Sequence, residues 1–146
     1  MATRSRIGLQ LADDAILSVY HHWDGYPQWL GVTLKAKFNT REKVAELLDG
    51  GDLSCCDSTT TWDNEFELDE PRPLYYNDRG EKTEPRLDLN FDDYVENPDN
   101  DAEYVYIFTL DHEWECYAID QKYNEDFTEV LQTNVVPQEI PSDVKV

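Results

Sequence analysis

The sequence predicts an α+β domain, in which an antiparallel β-sheet has two helices packed on one face and acidic residues on the other. Three observations support this prediction. Short segments alternate apolar and polar residues, as half-buried strands do. Two segments with helical signals lie together before residue 52. Carboxylates alternate with apolar residues in the later strands, so a solvated sheet face would carry them.

The chain begins with a predicted hairpin and an aromatic corner. Residues 6–11 and 15–20 alternate as strands do, and Asp13-Asp14 forms the turn between them. The stretch SVYHHWDGYPQWLG, residues 18–31, then changes direction at Asp24-Gly25. We expect Trp23 and Trp29 to be mostly buried where they cover this corner. The stretch is interpreted as structural, with a binding loop as the alternative.

Two helices are predicted next. Proline fits the first turn of a helix, so Pro27 begins a helix over residues 27–38, in which apolar residues recur every four positions. Asn39 or Thr40 caps a second helix, and Gly50-Gly51 ends it. Each helix has one apolar side, and both are therefore expected to pack on the same sheet face.

The rest of the chain predicts strands separated by irregular segments. Asp111-His112 joins the two strongest of them as a tight hairpin. Residues 1–136 are expected to form a single domain, and residues 137–146 a frayed tail with two prolines and little apolar content. The predicted strands cover residues 60–68, 74–76, 86–91, 103–110 and 113–119.

Composition disfavours several classes of protein. No apolar run approaches the roughly 20 residues of a membrane helix, and no hydrophobic stretch follows the basic N-terminus as in a secretory signal. No membrane partner is expected, and the expected location is the cytoplasm. The three cysteines, Cys55, Cys56 and Cys116, make a poor disulfide framework, which also favours a reducing compartment.

Charge is the most informative property of the chain. The net charge is −20, yet residues 1–51 hold six basic and six acidic residues, so the entire excess lies after them. An acidic surface repels nucleic acid and anionic membranes and attracts basic proteins. Direct nucleic-acid binding is therefore not expected. The predicted partner is a basic protein that itself handles nucleic acid.

Alternating carboxylates indicate how such a partner would be bound. Residues i and i+2 of a strand share a face about 6.6 Å apart. A row of single negative charges can imitate a phosphate backbone, whereas an ordinary solvated sheet face is the alternative. The predicted partner-binding residues are Glu65, Glu67, Asp69, Asp88, Asp92, Asp93, Glu113 and Glu115.

No catalytic residue, metal site or cofactor is predicted. Residues 97–103 are spaced like calcium ligands, but Ala102 stands where an EF-hand requires glycine. The histidines and cysteines show neither CxxC nor HExxH spacing, and no glycine-rich phosphate loop is present. A metal-dependent enzyme that uses His21, His22 or Asp24 is the least favoured alternative.

The first third of the chain resembles small uncharacterised proteins encoded by bacteriophages. The resemblance covers residues 5–54 and rests on the early hairpin followed by SVYHHWDGYP and NTREKVAELLDGGDLS. It implies production inside an infected cell, where small acidic phage proteins often inhibit host nucleic-acid machinery or host defence, as anti-CRISPR proteins do. The expected function is inhibition of such a host protein by nucleic-acid mimicry. A phage accessory domain with a merely solvating acidic face is the alternative.

Overall fold

The structure is a computed structural model, and it describes residues 3–62 and 69–141. Within these ranges eight strands form one sheet, and three α-helices pack on its two faces. The strands are β1 (Ser5–Gln10), β2 (Ile16–His21), β3 (Leu53–Ser58), β4 (Arg72–Tyr75), β5 (Arg86–Asp88), β6 (Tyr104–Phe108), β7 (Trp114–Tyr123) and β8 (Val130–Gln138). The helices are α1 (Val32–Lys37), α2 (Arg41–Asp49) and α3 (Phe91–Glu96), with a π-helical turn at Pro27–Gly31 and a 3-10 turn at Tyr76–Arg79.

Most neighbouring strands run antiparallel. Across the sheet the order is β4-β3-β2-β1-β6-β7-β8, and β5 lies beside the first half of β2. The central strands β1 and β6 are parallel, from Ser5↔Tyr104 to Leu9↔Phe108. A mixed fold with a mostly antiparallel sheet is therefore confirmed. The central parallel pair joins segments roughly 100 residues apart, and such a distant pairing leaves no local signal in the sequence.

One face of the sheet carries α1 and α2. Ile7 and Leu9 of β1 are buried there against Leu34 of α1 and Leu48 of α2. Burying a side chain of this size stabilises the fold by about 1.5–3 kcal/mol. The predicted cap of the second helix is present, since the Thr40 hydroxyl oxygen accepts a 3.2 Å hydrogen bond from a backbone N–H in the first turn.

A third helix, α3, packs on the opposite face. Tyr94 and Val95 of α3 are buried against Val105 and Ile107 of β6. Gly8 permits this close approach, because a Cβ at that position would lie 3.0 Å from the Tyr94 hydroxyl oxygen. The predicted arrangement, with helices on one face and only acidic residues on the other, is not confirmed, since α3 covers part of the second face.

The segment before α3 shows why this helix is missed in the sequence. The strand predicted over residues 86–91 ends at Asp88, and the Asn90 side chain then accepts a 2.8 Å hydrogen bond from the backbone N–H of Asp93. This bond is an N-cap, and it starts a helix of only six residues. A helix this short has too few apolar residues to show a clear period.

The C-terminal part of the described chain belongs to the sheet. β8 continues to Gln138, with Pro137 opposite Tyr117 of β7. The first two residues of the predicted tail are therefore ordered strand residues. Ile140 packs against the core under α1, close to Gly31. Residues 142–146 lie outside the described ranges, as do residues 63–68 of the strand predicted over residues 60–68.

The aromatic corner differs from its prediction in one respect. Trp23 and Trp29 are 45% and 49% exposed, so the expectation that both are mostly buried is wrong. The π-helical turn begins with the buried Pro27, and it directs Trp29 outward while Leu30 points into the core. Both indole rings therefore have surface available for contacts with other molecules.

Candidate protein-binding surface

Of the eight carboxylates predicted to bind a partner, six lie among the described residues, and not all six are exposed. Glu65 and Glu67 lie outside the described residues. Asp69 is exposed shortly before β4, at the sheet edge opposite to β8. Neighbouring strands lie about 4.8 Å apart, so the five strand spacings from β4 to β7 separate these two strands by about 24 Å. A single row that runs through all the described carboxylates is therefore not confirmed.

Asp88 has a structural environment rather than a binding one. It is 6% exposed, and its carboxylate accepts a 2.9 Å hydrogen bond from Nε of Arg86 and a 3.0 Å bond from the Asn97 amide. The prediction that Asp88 lies on a solvated face is wrong, because the chain after α3 folds back over β5. Its negative charge compensates a cation inside the protein.

The other four predicted residues are exposed, and they lie in α3 or at the start of β7. Tyr117 of β7 packs edge-on against Phe91 of α3, with 5.0 Å between ring centroids. Glu115 shares the side of Tyr117, because alternate residues of a strand face the same way. Glu113 lies directly before β7, where its backbone carbonyl accepts a hydrogen bond from the N–H of Thr109. Directly after Phe91, the first turn of α3 carries Asp92 and Asp93. With Glu96 from the end of α3, these residues form what we call the α3–β7 acidic surface: Asp92, Asp93, Glu96, Glu113 and Glu115.

The carboxylates of the α3–β7 acidic surface are exposed and lack cationic partners. Among the described residues, none of the five takes part in a salt bridge. The Tyr117 hydroxyl donates a 2.9 Å hydrogen bond to Glu115. Partial burial and this bond raise the pKa of Tyr117 to about 12, so its phenol stays neutral at pH 7. Asp92 and Asp93 also stabilise the N-terminus of α3 through the helix dipole.

The helices α1 and α2, on the other side of the sheet, present lysines together with three exposed carboxylates of α2. Lys35, Lys37 and Lys43 are exposed on α1 and α2, and the Lys37 ammonium lies 2.7 Å from the Asp57 carboxylate. The two faces therefore differ in the charge they present to solvent. A basic partner would be attracted toward the α3–β7 side rather than toward the α1–α2 side.

His21 links two strands inside the protein. Its Nε2 accepts a 3.0 Å hydrogen bond from the backbone N–H of Cys56, and the side chain is buried. Burial, with a smaller effect of His22, lowers the pKa of His21 to about 3, so the imidazole is neutral at pH 7. Its role is to hold β2 against β3.

The enzyme alternative names His21, His22 and Asp24, and the structure shows the surroundings of His22. His22 Nδ1 lies 2.7 Å from the Tyr20 hydroxyl, so a tyrosine rather than Asp24 orients this imidazole. The His22 ring also contacts Trp23 edge-on, with 4.8 Å between ring centroids. In residues 3–62 and 69–141, no three His, Cys, Asp or Glu side chains are arranged to hold a metal ion. Tyr20, His22 and Trp23 form a partly exposed aromatic cluster at the corner.

Comparisons with known proteins do not identify the chain. No protein-family model matches it, no curated protein matches it, and no solved structure matches its fold. In the part of the chain that the structure describes, no helix combines the length and apolar character that crossing a membrane requires.

Proposed function

We propose that this protein binds a basic, nucleic-acid-handling protein of an infected cell and inhibits it by occupying the groove that receives phosphates. One observation carries the proposal. Five carboxylates, three in α3 and two at the start of β7, are exposed and have no salt-bridge partner among the described residues. Carboxylates left uncompensated repel one another, and this repulsion is relieved when a basic surface binds.

The spacing of these groups suits a phosphate-binding groove. Glu115 lies in β7 and Glu113 directly before it, so in extended backbone the two residues are about 6.6 Å apart, roughly twice the 3.4 Å axial rise of a nucleic-acid strand. The spacing between the two carboxylates therefore matches that between one phosphate and the next but one along the axis of a nucleic-acid strand. Asp92 and Asp93 extend the charge onto α3, so that the surface is wider than a single row.

Apolar side chains border the same surface. Leu89 is exposed directly before α3, and Leu110 is exposed on the hairpin that leads to Glu113. Protein interfaces combine a polar rim with apolar contacts that lose their water on binding. The two leucines supply such contacts. Charge alone cannot replace them, because the attraction between exposed charges is screened beyond about 8 Å at physiological salt.

The test is a competition experiment with a charge-matched control. Proteins captured from a bacterial lysate by the immobilised chain are purified and titrated against it, with and without duplex DNA. We expect DNA to compete and binding to weaken as salt rises. The variant Glu113→Lys/Glu115→Lys should reduce the association rate about tenfold or more while unfolding as the wild type does.

The control variant is Glu46→Lys/Asp49→Lys on α2, which makes the same change in net charge on the opposite face. It should bind nearly as the wild type does. Equal loss in both variants would mean that net charge alone drives association. Binding that is indifferent to DNA, to salt and to the Glu113/Glu115 reversal would favour an accessory domain whose acidic face only solvates it.

A further inference from the structure

The hairpin between β7 and β8 extends beyond the end of β6. The N–H of Ile119 donates to the carbonyl of Glu103, directly before β6, and residues 120–123 of β7 pair with β8 alone in the described part of the sheet. Residues 123–129 form the end of this two-stranded ribbon, and six of the seven are exposed. We call them the hairpin tip. A segment that projects in this way can enter a concave surface of another protein.

Hydrogen bonds give the hairpin tip a defined conformation. The side-chain oxygen of Asn124 accepts hydrogen bonds from the backbone N–H groups of Thr128 and Glu129, at 2.9 and 3.3 Å. The backbone carbonyl of Asn124 accepts a further bond of 3.1 Å from the N–H of Phe127. The backbone of the tip is thus already ordered, so little conformational freedom is lost when it binds another molecule.

Phe127 occupies a position that folding alone does not favour. Its φ of 58° lies in the left-handed region, which glycine, asparagine and aspartate adopt far more readily than an aromatic residue does. Its side chain is also 78% exposed, the largest exposed fraction among the large apolar residues of the described chain. The residue therefore costs stability through its backbone and leaves its ring in water. This combination is typical of a residue that serves binding rather than folding.

Tyr123 enlarges the apolar surface of the hairpin tip. Its ring is exposed and lies 6.1 Å from the ring of Phe127, measured between centroids. The Tyr123 hydroxyl donates a 3.2 Å hydrogen bond to the side chain of Gln121. The Gln121 amide in turn donates a 2.9 Å bond to the backbone carbonyl of Asn97, directly after α3. These contacts place the aromatic pair on the side of the sheet where α3 packs.

Carboxylates flank the aromatic pair. Glu125 and Asp126 directly precede Phe127, Glu129 follows it by two residues, and all three carboxylates are exposed. None of the three takes part in a salt bridge within the described ranges. Interfaces commonly join an aromatic anchor in a pocket to a polar rim around it. An aromatic anchor with an acidic rim is complementary to an apolar pocket rimmed by lysines and arginines, whereas anionic lipid would repel it.

We propose that the hairpin tip inserts the ring of Phe127 into an apolar pocket of a basic protein, while its carboxylates pair with cations at the rim of that pocket. The inference rests on the proposed function, because the occupant is the same nucleic-acid-handling protein. Tyr123 lies nine residues after Trp114, so the tip is about 30 Å along β7 from the end that carries Glu115. The two contacts have different effects. Exposed carboxylates speed association, and a buried aromatic anchor prolongs the complex.

The first test uses a probe of known chemistry. A per-amino β-cyclodextrin has an apolar cavity that admits a phenyl ring and a rim of ammonium groups, whereas oligolysine of the same charge has no cavity. In an NMR titration we expect the cyclodextrin to shift the amide resonances of residues 123–129 and to bind about tenfold or more tightly than oligolysine. Phe127→Asn should abolish this preference without lowering the melting temperature, because asparagine tolerates the left-handed backbone. Phe127→Tyr keeps an aromatic ring and should keep the preference.

The second test measures the lifetime of the complex with the basic protein that the wild-type chain captures. Phe127→Asn should raise the dissociation rate about tenfold or more, whereas Glu113→Lys/Glu115→Lys should mainly slow association. An unchanged dissociation rate in Phe127→Asn, with the effect of the Glu113/Glu115 reversal intact, would overturn the inference and leave the proposed function standing. A complex that needs Phe127 but ignores salt and DNA would overturn the proposed function and keep the insertion. Cyclodextrin binding that is equal for Phe127→Asn and the wild type would also overturn the inference.

Discussion

The buried hydroxyl of Tyr106 donates a 2.6 Å hydrogen bond to the backbone carbonyl of Gly25. It ties the central strand β6 to the turn that follows β2, far away in the sequence. Gly25 itself sits against Ser5, with no room for a Cβ. The corner is therefore held by a tyrosine from the core and by a glycine, while its two tryptophans face solvent.

Tyr106→Phe should lower the free energy of unfolding by about 1–3 kcal/mol, because it leaves the Gly25 carbonyl buried without a donor. Urea denaturation measures this loss. Tyr123→Phe removes an exposed hydroxyl that bonds to Gln121 at 3.2 Å, and it should change stability by less than about 0.5 kcal/mol. Equal effects of the two variants would show that the bond to Gly25 does not hold the corner.

Trp23→Ala and Trp29→Ala should each cost less than about 2 kcal/mol, since roughly half of each side chain stays in water. Phe108→Ala, at a fully buried position, should cost about 3–5 kcal/mol. Thermal unfolding of the three variants gives the comparison. A loss at either tryptophan as large as the one at Phe108 would contradict the exposed orientation of the indole rings.

His21 should make stability depend on pH. Its pKa is about 3 in the folded protein and near 6.5 in the unfolded chain, so the unfolded state takes up the proton first as pH falls. Stability from this group is complete above pH 6.5 and declines between pH 6.5 and about 3. His21→Gln keeps an acceptor for the Cys56 N–H and should lose about 2–3 kcal/mol less than the wild type between pH 7 and 4.5. Urea denaturation at pH 7 and at pH 4.5 measures this difference, and an equal loss in the variant and the wild type would contradict the role of His21.

Asp88→Asn should destabilise the protein by up to about 3 kcal/mol, because it leaves the largely buried Arg86 guanidinium without a carboxylate. Asp92→Asn should cost less than about 1 kcal/mol, since only the helix-dipole interaction of an exposed residue is lost. Guanidinium chloride unfolding distinguishes them. If the two variants were equally stable, Asp88 would be a surface carboxylate, as the alternation of acidic and apolar residues in the sequence predicts.

Elements whose formation depends on neighbouring residues, such as hairpins and helix caps, could be predicted from the sequence. The first hairpin, the Thr40 cap and the Asp111-His112 hairpin each depend on residues close together in the chain, and each is present. By contrast, β3 and β8 gain their order from pairing with strands that form elsewhere, and their own patterns are weak. Alternation likewise predicts that Asp88 faces outward, because it carries no information on what later folds over a strand.

The acidic surface could be predicted only in part for the same reason. Glu113 and Glu115 alternate on a strong strand, and their exposure follows from that pattern. Glu96 is absent from the predicted set because α3 is not recognised as a helix. The available signal was Asn90 followed by Asp92 and Asp93, an N-cap with acidic residues in the first turn.

The parallel pairing of β1 with β6 also affects how the chain folds during its synthesis on the ribosome. A ribosome that adds about 5–20 residues per second releases β1 several seconds before β6 has been made. During this interval the nascent N-terminal hairpin has an unpaired apolar edge, and α1 and α2 lack half of the surface on which they pack. The core can close only when β6 emerges, so folding during translation should be late and cooperative, and the incomplete chain should be a substrate for chaperones.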